Sequence, residues 1–289
     1  MILSLFSALA VNWNVNPEIT SIGPVHIRYY SLFFIIGFWL GYRMFAYFYK
    51  REQLPVSLLD PLLFTLIICT IAGARLGHVL FYQPEYYLAN PAEIFKIWHG
   101  GLASHGGAIA ILIGLWWYAR HYGKQHNFDF LWILDRIGIA IAFAGMFIRL
   151  GNLMNSEIYG DVTDLPWGFV FLRNGEIFPK HPTQLYEALA YLILGVVLLL
   201  LYRYRLDRLK RGFLFGLFLT GLFGARFLIE FIKEPQVDFE AGMALNMGQL
   251  LSIPFVIAGI ILMIRSSRIA TPAMRETANN AKEKGAKRH

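Results

Sequence analysis

The chain has 289 residues, 56% of them apolar and only 16% charged, with a mean hydropathy of +0.48. An average soluble protein carries about 25% charged residues, so a water-soluble domain does not fit, nor does a disordered chain, which is poor in apolar residues. The formal charge of +7 would suggest nucleic acid for a soluble chain, but here the cationic clusters fall between apolar segments, where they mark membrane topology, and no nucleic-acid partner is expected.

The sequence opens on an apolar patch, Ile2 to Val11, which lacks the basic n-region of a signal peptide and is too short to span. Residues 1–27 therefore read as an arm lying at the membrane surface. Seven runs then approach the roughly 20 apolar residues that a helix needs to cross a bilayer: 28–48, 59–82, 105–119, 131–152, 185–202, 213–231 and 247–264. The third is short and opens on His105-Gly106-Gly107, which points to a broken or re-entrant outer end. The predicted class is all-α, a polytopic membrane protein with seven transmembrane helices. Residues 1–264 form one membrane domain, 153–184 an external loop region and 265–289 a basic tail near anionic headgroups. The connections after odd-numbered spans and the tail hold 16 Lys and Arg, those after even-numbered spans 4, and the first 27 residues none. By the positive-inside rule the C-terminus is cytoplasmic and the N-terminus extracytoplasmic. The lone cysteine, Cys69, lies in an apolar run, so an internal disulfide is excluded and packing is its expected role. No Cys/His spacing suits a metal.

An ionisable group inside a bilayer costs several kcal/mol unless paired or wetted, and so draws attention. The candidates are Arg75, Asp135, Arg136, Arg149, Glu157, Glu187, Arg226 and Glu230. On the expected topology all but Asp135 and Arg136 lie toward the outer leaflet; those two read as cytoplasmic anchors. Arg226 and Glu230 are four apart and share a helix face, so mutual neutralisation is one reading. Arg75 divides between a helix-to-helix bond and a headgroup contact.

The densest group is Arg149-Leu150-Gly151-Asn152-Leu153-Met154-Asn155-Ser156-Glu157, with Tyr159 and Gly160 beyond it. Arg149, Asn152, Ser156 and Tyr159 recur at helical spacing, which predicts one polar helix face. An Arg fork with neutral amide donors suits a phosphate; the competing reading is a polar seam between helices. In Gly100-Gly101-Leu102-Ala103-Ser104-His105-Gly106-Gly107, four glycines let backbone approach a ligand beside an imidazole able to take a proton near neutral pH. His181-Pro182-Thr183-Gln184-Leu185-Tyr186-Glu187 reads as a helix cap with headgroup contacts.

The stretch from Arg149 to Glu157, with Gly160, resembles the signature of the bacterial prolipoprotein diacylglyceryl transferases. Ser21-Ile22-Gly23-Pro24, Gly73-Ala74-Arg75-Leu76-Gly77, the His105 turn, His181 to Glu187, Arg226 to Glu230 and Met247-Gly248-Gln249 resemble it too, in order, over residues 20–255. The resemblance implies transfer of the diacylglyceryl group of phosphatidylglycerol to the lipobox cysteine of a preprolipoprotein. A thioether forms and glycerol 1-phosphate leaves, at the outer leaflet of the bacterial cytoplasmic membrane, with no metal or organic cofactor. Under it Arg149 and Arg226 grip the phosphate, and His105 helps to deprotonate the thiol. Asn152, Glu157, Gly160, Tyr30 and Arg75 place substrate, and Glu230 orients Arg226; Glu157 or an arginine-assisted attack could replace His105 as base. Three positions depart from the family pattern: Ile148 where Gly is usual, Leu153 where Phe is usual, and Leu222 where a Tyr is expected. The rival from another class is a lipid or small-anion transporter, which the missing internal repeat and the confinement of polar groups to one leaflet count against.

Overall fold

A computed structural model describes residues 10–23, 25–235 and 243–266. The start of the expected arm, the residue Pro24, and the basic tail beyond Ser266 lie outside the described residues. The order is β1 (Val11–Trp13), β2 (Glu18–Ile22), β3 (Val25–Arg28), α1 (Tyr29–Arg51), α2 (Leu59–Phe81), α3 (Pro84–Ala89), α4 (Ser104–His126), α5 (Phe130–Met154), β4 (Phe169–Phe171), α6 (Thr183–Arg205), α7 (Phe213–Ile229) and α8 (Met247–Arg265). In hydrocarbon the backbone must satisfy its own hydrogen bonds, so apolar runs of this length become helices.

Among the described residues, six of the seven long helices are long and apolar enough to cross a membrane. The remaining one, α4, has the length at 23 residues, but Arg120, His121 and Lys124 dilute its apolar run. It also corrects the expected break at His105, since the helix runs unbroken from Ser104 to His126. The irregular backbone lies before it, in short turns over Pro91–Phe95 and Ile97–His99. Large apolar side chains such as Ile35, Trp39, Phe64 and Ile68 are more than half exposed, as expected of faces solvated by lipid tails.

The chain divides into two compact units, one of residues up to Met44 with those from Asp135 on, the other Phe45–Leu134. In the second, α2 and α4 pack through small residues. A Cβ on Gly106 would stand 2.4 Å from the Gly73 carbonyl oxygen and 2.7 Å from the Gly77 Cα, so the backbones touch and no larger residue fits. Cys69 belongs to this seam: its Sγ is 2.4 Å from where a Cβ on Gly114 would stand, in keeping with a packing role.

In the first unit, α7 and α8 meet at Gly216 and Gly259 in the same way. Asp135, expected as an interfacial anchor, is buried instead. Its two carboxylate oxygens accept the Gly212 and Phe215 backbone N–H at 2.8 and 2.9 Å, capping the first turn of α7 from another helix. Arg136 is buried beside it in sequence, over the Tyr202 ring. The described part of the arm is tied to its own unit: β1 pairs in parallel with β4, Trp13 Nε1 donates to the Leu153 carbonyl at 3.0 Å, and Arg173 donates to Val15 O. Strands β2 and β3 form an antiparallel hairpin that leads into α1.

Candidate functional site

The polar cluster that the sequence points to begins on the last turns of α5. The helix ends at Met154, so Ser156 and Tyr159 do not continue its polar face; this corrects the single-face reading. The chain instead turns back on itself, with Ser156 at φ 55° and Ile158 at φ 62°. For a β-branched residue that region is strained, at about 1–3 kcal/mol, and persists only where the surroundings over-determine it. Here three consecutive carbonyls are each held by a side chain. Asn174 Nδ2 donates to Ser156 O at 2.7 Å, Gln184 Nε2 to Glu157 O at 2.7 Å, and Thr183 Oγ1 to Ile158 O at 2.8 Å.

The turn brings the Glu157 carboxylate back over the helix end. Glu157 Oε1 accepts from Asn152 Nδ2 at 2.6 Å and Asn155 Nδ2 at 3.2 Å. Asn152 Oδ1 in turn accepts from Arg149 at 3.2 Å. One N–H of each amide is thus engaged by a carboxylate, and Asn152 also orients Arg149. Tyr30, at the start of α1, lies against Gly151, where a Cβ would meet its ring at 2.7 Å, and within electrostatic reach of Glu157 and Arg149.

Beyond the turn, residues 159–163 run as a ladder rung between two other segments. Gly160 N donates to His181 O, His181 N to Asp161 O, and Asp161 N to Ile232 O, while Gly160 and Lys233 form an antiparallel bridge. Gly160 is there because nothing larger fits: a Cβ would stand 2.2 Å from the Ile232 oxygen. The ladder fixes Lys233, just past α7, against Glu187 on the first turns of α6. His181 at the ladder's edge has its pKa pushed down by burial, with Asp161 opposing. Lys180 bridges Glu176 and Glu234; burial lowers its pKa, but Glu234 and Glu176 together raise it above the ordinary value.

The outcome is an unbroken run of alternating charge. Arg149 Nε lies 2.9 Å from Glu187 Oε2; Lys233 Nζ lies 3.3 Å from Glu187 Oε1 and 3.1 Å from Glu230 Oε2; and Arg226 Nε is 3.9 Å from the same Glu230 oxygen. Glu187 is fully buried, and Glu230 and Lys233 nearly so. Arg149, Lys233 and Arg226 thus alternate with Glu187 and Glu230, and Glu157 joins the same network through Asn152. Arg226 Nε is buried without a hydrogen-bond partner among the described residues, because 3.9 Å is too long for one. Glu230 is pressed by the start of α8. Gly248 admits its carboxylate to 2.5 Å of where a Cβ would be, and Asn246 and Gln249 form a capping box on that same first turn. That explains why a Gly-Gln pair follows the arginine motif.

Arg149, Asn152, Glu157, Gly160, Tyr30, Arg226 and Glu230 are therefore all parts of one unit. Glu187 was a suspect on burial grounds but reads from sequence as part of a helix cap; the structure makes it the link between Arg149 and Lys233. Lys233 carries no local signal beyond its charge.

Arg75 and His105 belong to the other unit. Arg75 is 4% exposed, and its guanidinium donates to five carbonyls: Ile94, Gly100, Gly101, Glu93 and Lys96. It knots the loop between α2 and α4, with Tyr87 under its plane at 4.9 Å. That uses the whole fork, so in this conformation no N–H is left for a headgroup phosphate. His105 is exposed on the first turn of α4, with its ring 5.3 Å from that of Phe81 and 5.9 Å from that of Tyr82. Among the described residues no three His, Cys, Asp or Glu are grouped to hold a metal ion.

The profile of the prolipoprotein diacylglyceryl transferase family matches residues 17–265. The chain belongs to that family. A phosphatidylglycerol–prolipoprotein diacylglyceryl transferase of Tolumonas auensis is 49% identical over 256 residues, covering 89% of this chain and 97% of the relative. Proteins of the same name from Chloroherpeton thalassium and Bacteroides fragilis are 44% and 46% identical, over 89% and 88% of this chain and 95% of each relative. The expected family is therefore the right one, and the transporter alternative is not favoured.

Proposed function

We propose that the chain transfers the diacylglyceryl group of phosphatidylglycerol to the cysteine thiol of a preprolipoprotein lipobox, at the outer leaflet of the bacterial cytoplasmic membrane. Membership of the family makes the chain a transferase. The single observation that supports the rest is the charge run from Arg149 to Arg226, which joins a guanidinium of α5 and one of α7 in one network able to meet an anion.

In the reaction, the thiolate sulfur attacks the glyceryl methylene that bears the phosphate ester. The carbon–sulfur bond forms as the carbon–oxygen bond breaks, and glycerol 1-phosphate leaves with the bonding electrons. Negative charge grows on the leaving phosphate, where preorganised donors are most effective. Arg149 and Arg226 supply those donors; Glu187, Lys233 and Glu230 hold them apart and in register. A thiol of pKa about 8.5 is a weak nucleophile until deprotonated, and His105 takes that proton. Gly160 acts by admitting the ladder that carries Lys233, and Arg75 by tying its loop rather than by touching lipid.

The test mixes purified protein, phosphatidylglycerol labelled in its acyl chains and a lipobox peptide. Label is expected on the peptide's cysteine and absent when that cysteine is serine. Unlabelled cysteine would overturn the enzyme, and lipid or anion flux across vesicles would support the transporter in its place.

A further inference from the structure

Beyond the end of α2, the second unit carries a cleft of about 670 Å³ that the reaction scheme above does not use. It is lined by Arg75, Tyr82, Gln83, Glu85, Tyr86, Tyr87 and Glu93, among others. Its floor is fixed. Tyr87 is buried under the Arg75 guanidinium, and that guanidinium is saturated by the loop carbonyls. Its mouth is open, since Tyr82 is 62% and Tyr86 49% exposed. What remains to a ligand is tyrosine hydroxyls and ring faces, the Gln83 amide, and carboxylates, of which Glu93 is already engaged by Lys96 at 2.5 Å.

We infer that this cleft seats the stretch of the preprolipoprotein that directly follows the acceptor cysteine. Rigid tyrosines with adaptable polar groups are a surface suited to an extended polypeptide, whose N–H and C=O groups they meet at small entropic cost. The volume is that of an ordinary ligand site. Position decides which part of the peptide it takes. The cleft is built from the end of α2, the start of α3 and the turn at Glu93, and its side chains are polar or tyrosine rather than aliphatic, so it suits the polar chain beyond the signal segment. Tyr82 lines the cleft and also stands 5.9 Å, ring to ring, from His105. A peptide leaving the cleft at Tyr82 thus delivers its cysteine to the imidazole. This last link rests on the role proposed for His105.

Two lipobox peptides distinguish the cases, one ending at the cysteine as an amide and one continuing for several residues. With the full-length protein in vesicles containing phosphatidylglycerol, the longer peptide is expected to have a KM lower by about tenfold. The double variant Glu85→Gln, Tyr86→Ala is expected to erase that difference. It should leave the short peptide's KM, the lipid's KM and the rate at saturating peptide unchanged. Equal KM values on the wild-type protein would overturn the inference, as would a variant that weakens both peptides alike or the lipid alone. A photocrosslinking residue at position 86 gives a second readout, independent of transfer. Capture of residues downstream of the cysteine in a Cys→Ser peptide is expected; capture of lipid alone would overturn the assignment. Absence of transfer with either peptide, alongside downstream capture, would fault the proposed reaction and not the cleft.

Discussion

Two arginines in apolar helices meet opposite fates in this molecule. Arg75 has its five N–H groups on five backbone carbonyls of one loop. Arg226 has a carboxylate at 3.9 Å and a buried Nε with no hydrogen-bond acceptor among the described residues. Both are costly to place in a membrane, and the difference lies in what offsets the cost. Carbonyls neutralise no charge but fill every donor, which makes a knot. Carboxylates neutralise charge but leave donors over, which makes a grip. Arg149 sits with Arg226 in meeting carboxylate rather than carbonyl: Glu187 pairs with it, and Asn152 and Tyr191 bond its fork.

The comparison breaks most sharply at Arg226. Arg226→Gln is expected to lower kcat/KM for phosphatidylglycerol by on the order of 10²–10³, the loss seen when one preorganised donor is removed. Because its side chain is a third exposed, thermal unfolding should shift little. Arg75→Gln should do the reverse. It strands five carbonyls and costs on the order of 3 kcal/mol of stability, read as a lower unfolding temperature, while any protein that stays folded keeps most of its activity. If Arg75→Gln instead left stability intact and raised the lipid's KM, Arg75 would be a headgroup ligand after all.

Lys233 sharpens the distinction between holding and gripping. Lys233→Met leaves Glu187 and Glu230 facing each other without the ammonium between them, and transfer should fall roughly tenfold. Lys233→Arg should restore much of it. Adding Glu187→Gln to Lys233→Met should recover part of the loss, the non-additivity expected of one network. Simple additivity would remove Lys233 from the account. Gly160→Ala should cost about 1–3 kcal/mol through the clash with Ile232 O, and lower transfer only as far as the ladder shifts.

The smallest effect is on pH. His181 has a depressed pKa in the folded chain, so between that value and the ordinary 6.5 the unfolded state binds the extra proton. Its contribution to stability is present above 6.5 and fades as pH falls through that window. His181→Asn should flatten the dependence of unfolding temperature on pH there; an unchanged slope would say that other groups set it.

Much of this was legible in the residues. Apolar runs fixed each long helix to within a few residues, except at α4, where Arg120, His121 and Lys124 hid the continuation to His126. The charge cluster at Arg149 to Glu157 announced itself because a bilayer tolerates so few such groups. Its geometry did not. Helical spacing carries Ser156 and Tyr159 onward, whereas side chains from Asn174, Thr183 and Gln184 bend the backbone into a turn that no local pattern records. The Lys233–Glu187 contact joins residues 46 apart in sequence, and so depended on the ladder through Gly160. Asp135 read as an anchor since a charge at a helix start suits a membrane surface; the buried first turn of α7 that it caps lies 77 residues on.

The measurement that bears most directly on the grip is lipid binding without acceptor peptide, comparing phosphatidylglycerol with an analogue whose phosphate is methylated to a neutral triester. The wild-type protein should prefer the anion by about a hundredfold, and Arg226→Gln should lose most of that preference. Equal binding of the two lipids by the wild-type protein, or undiminished preference in the variant, would contradict the account.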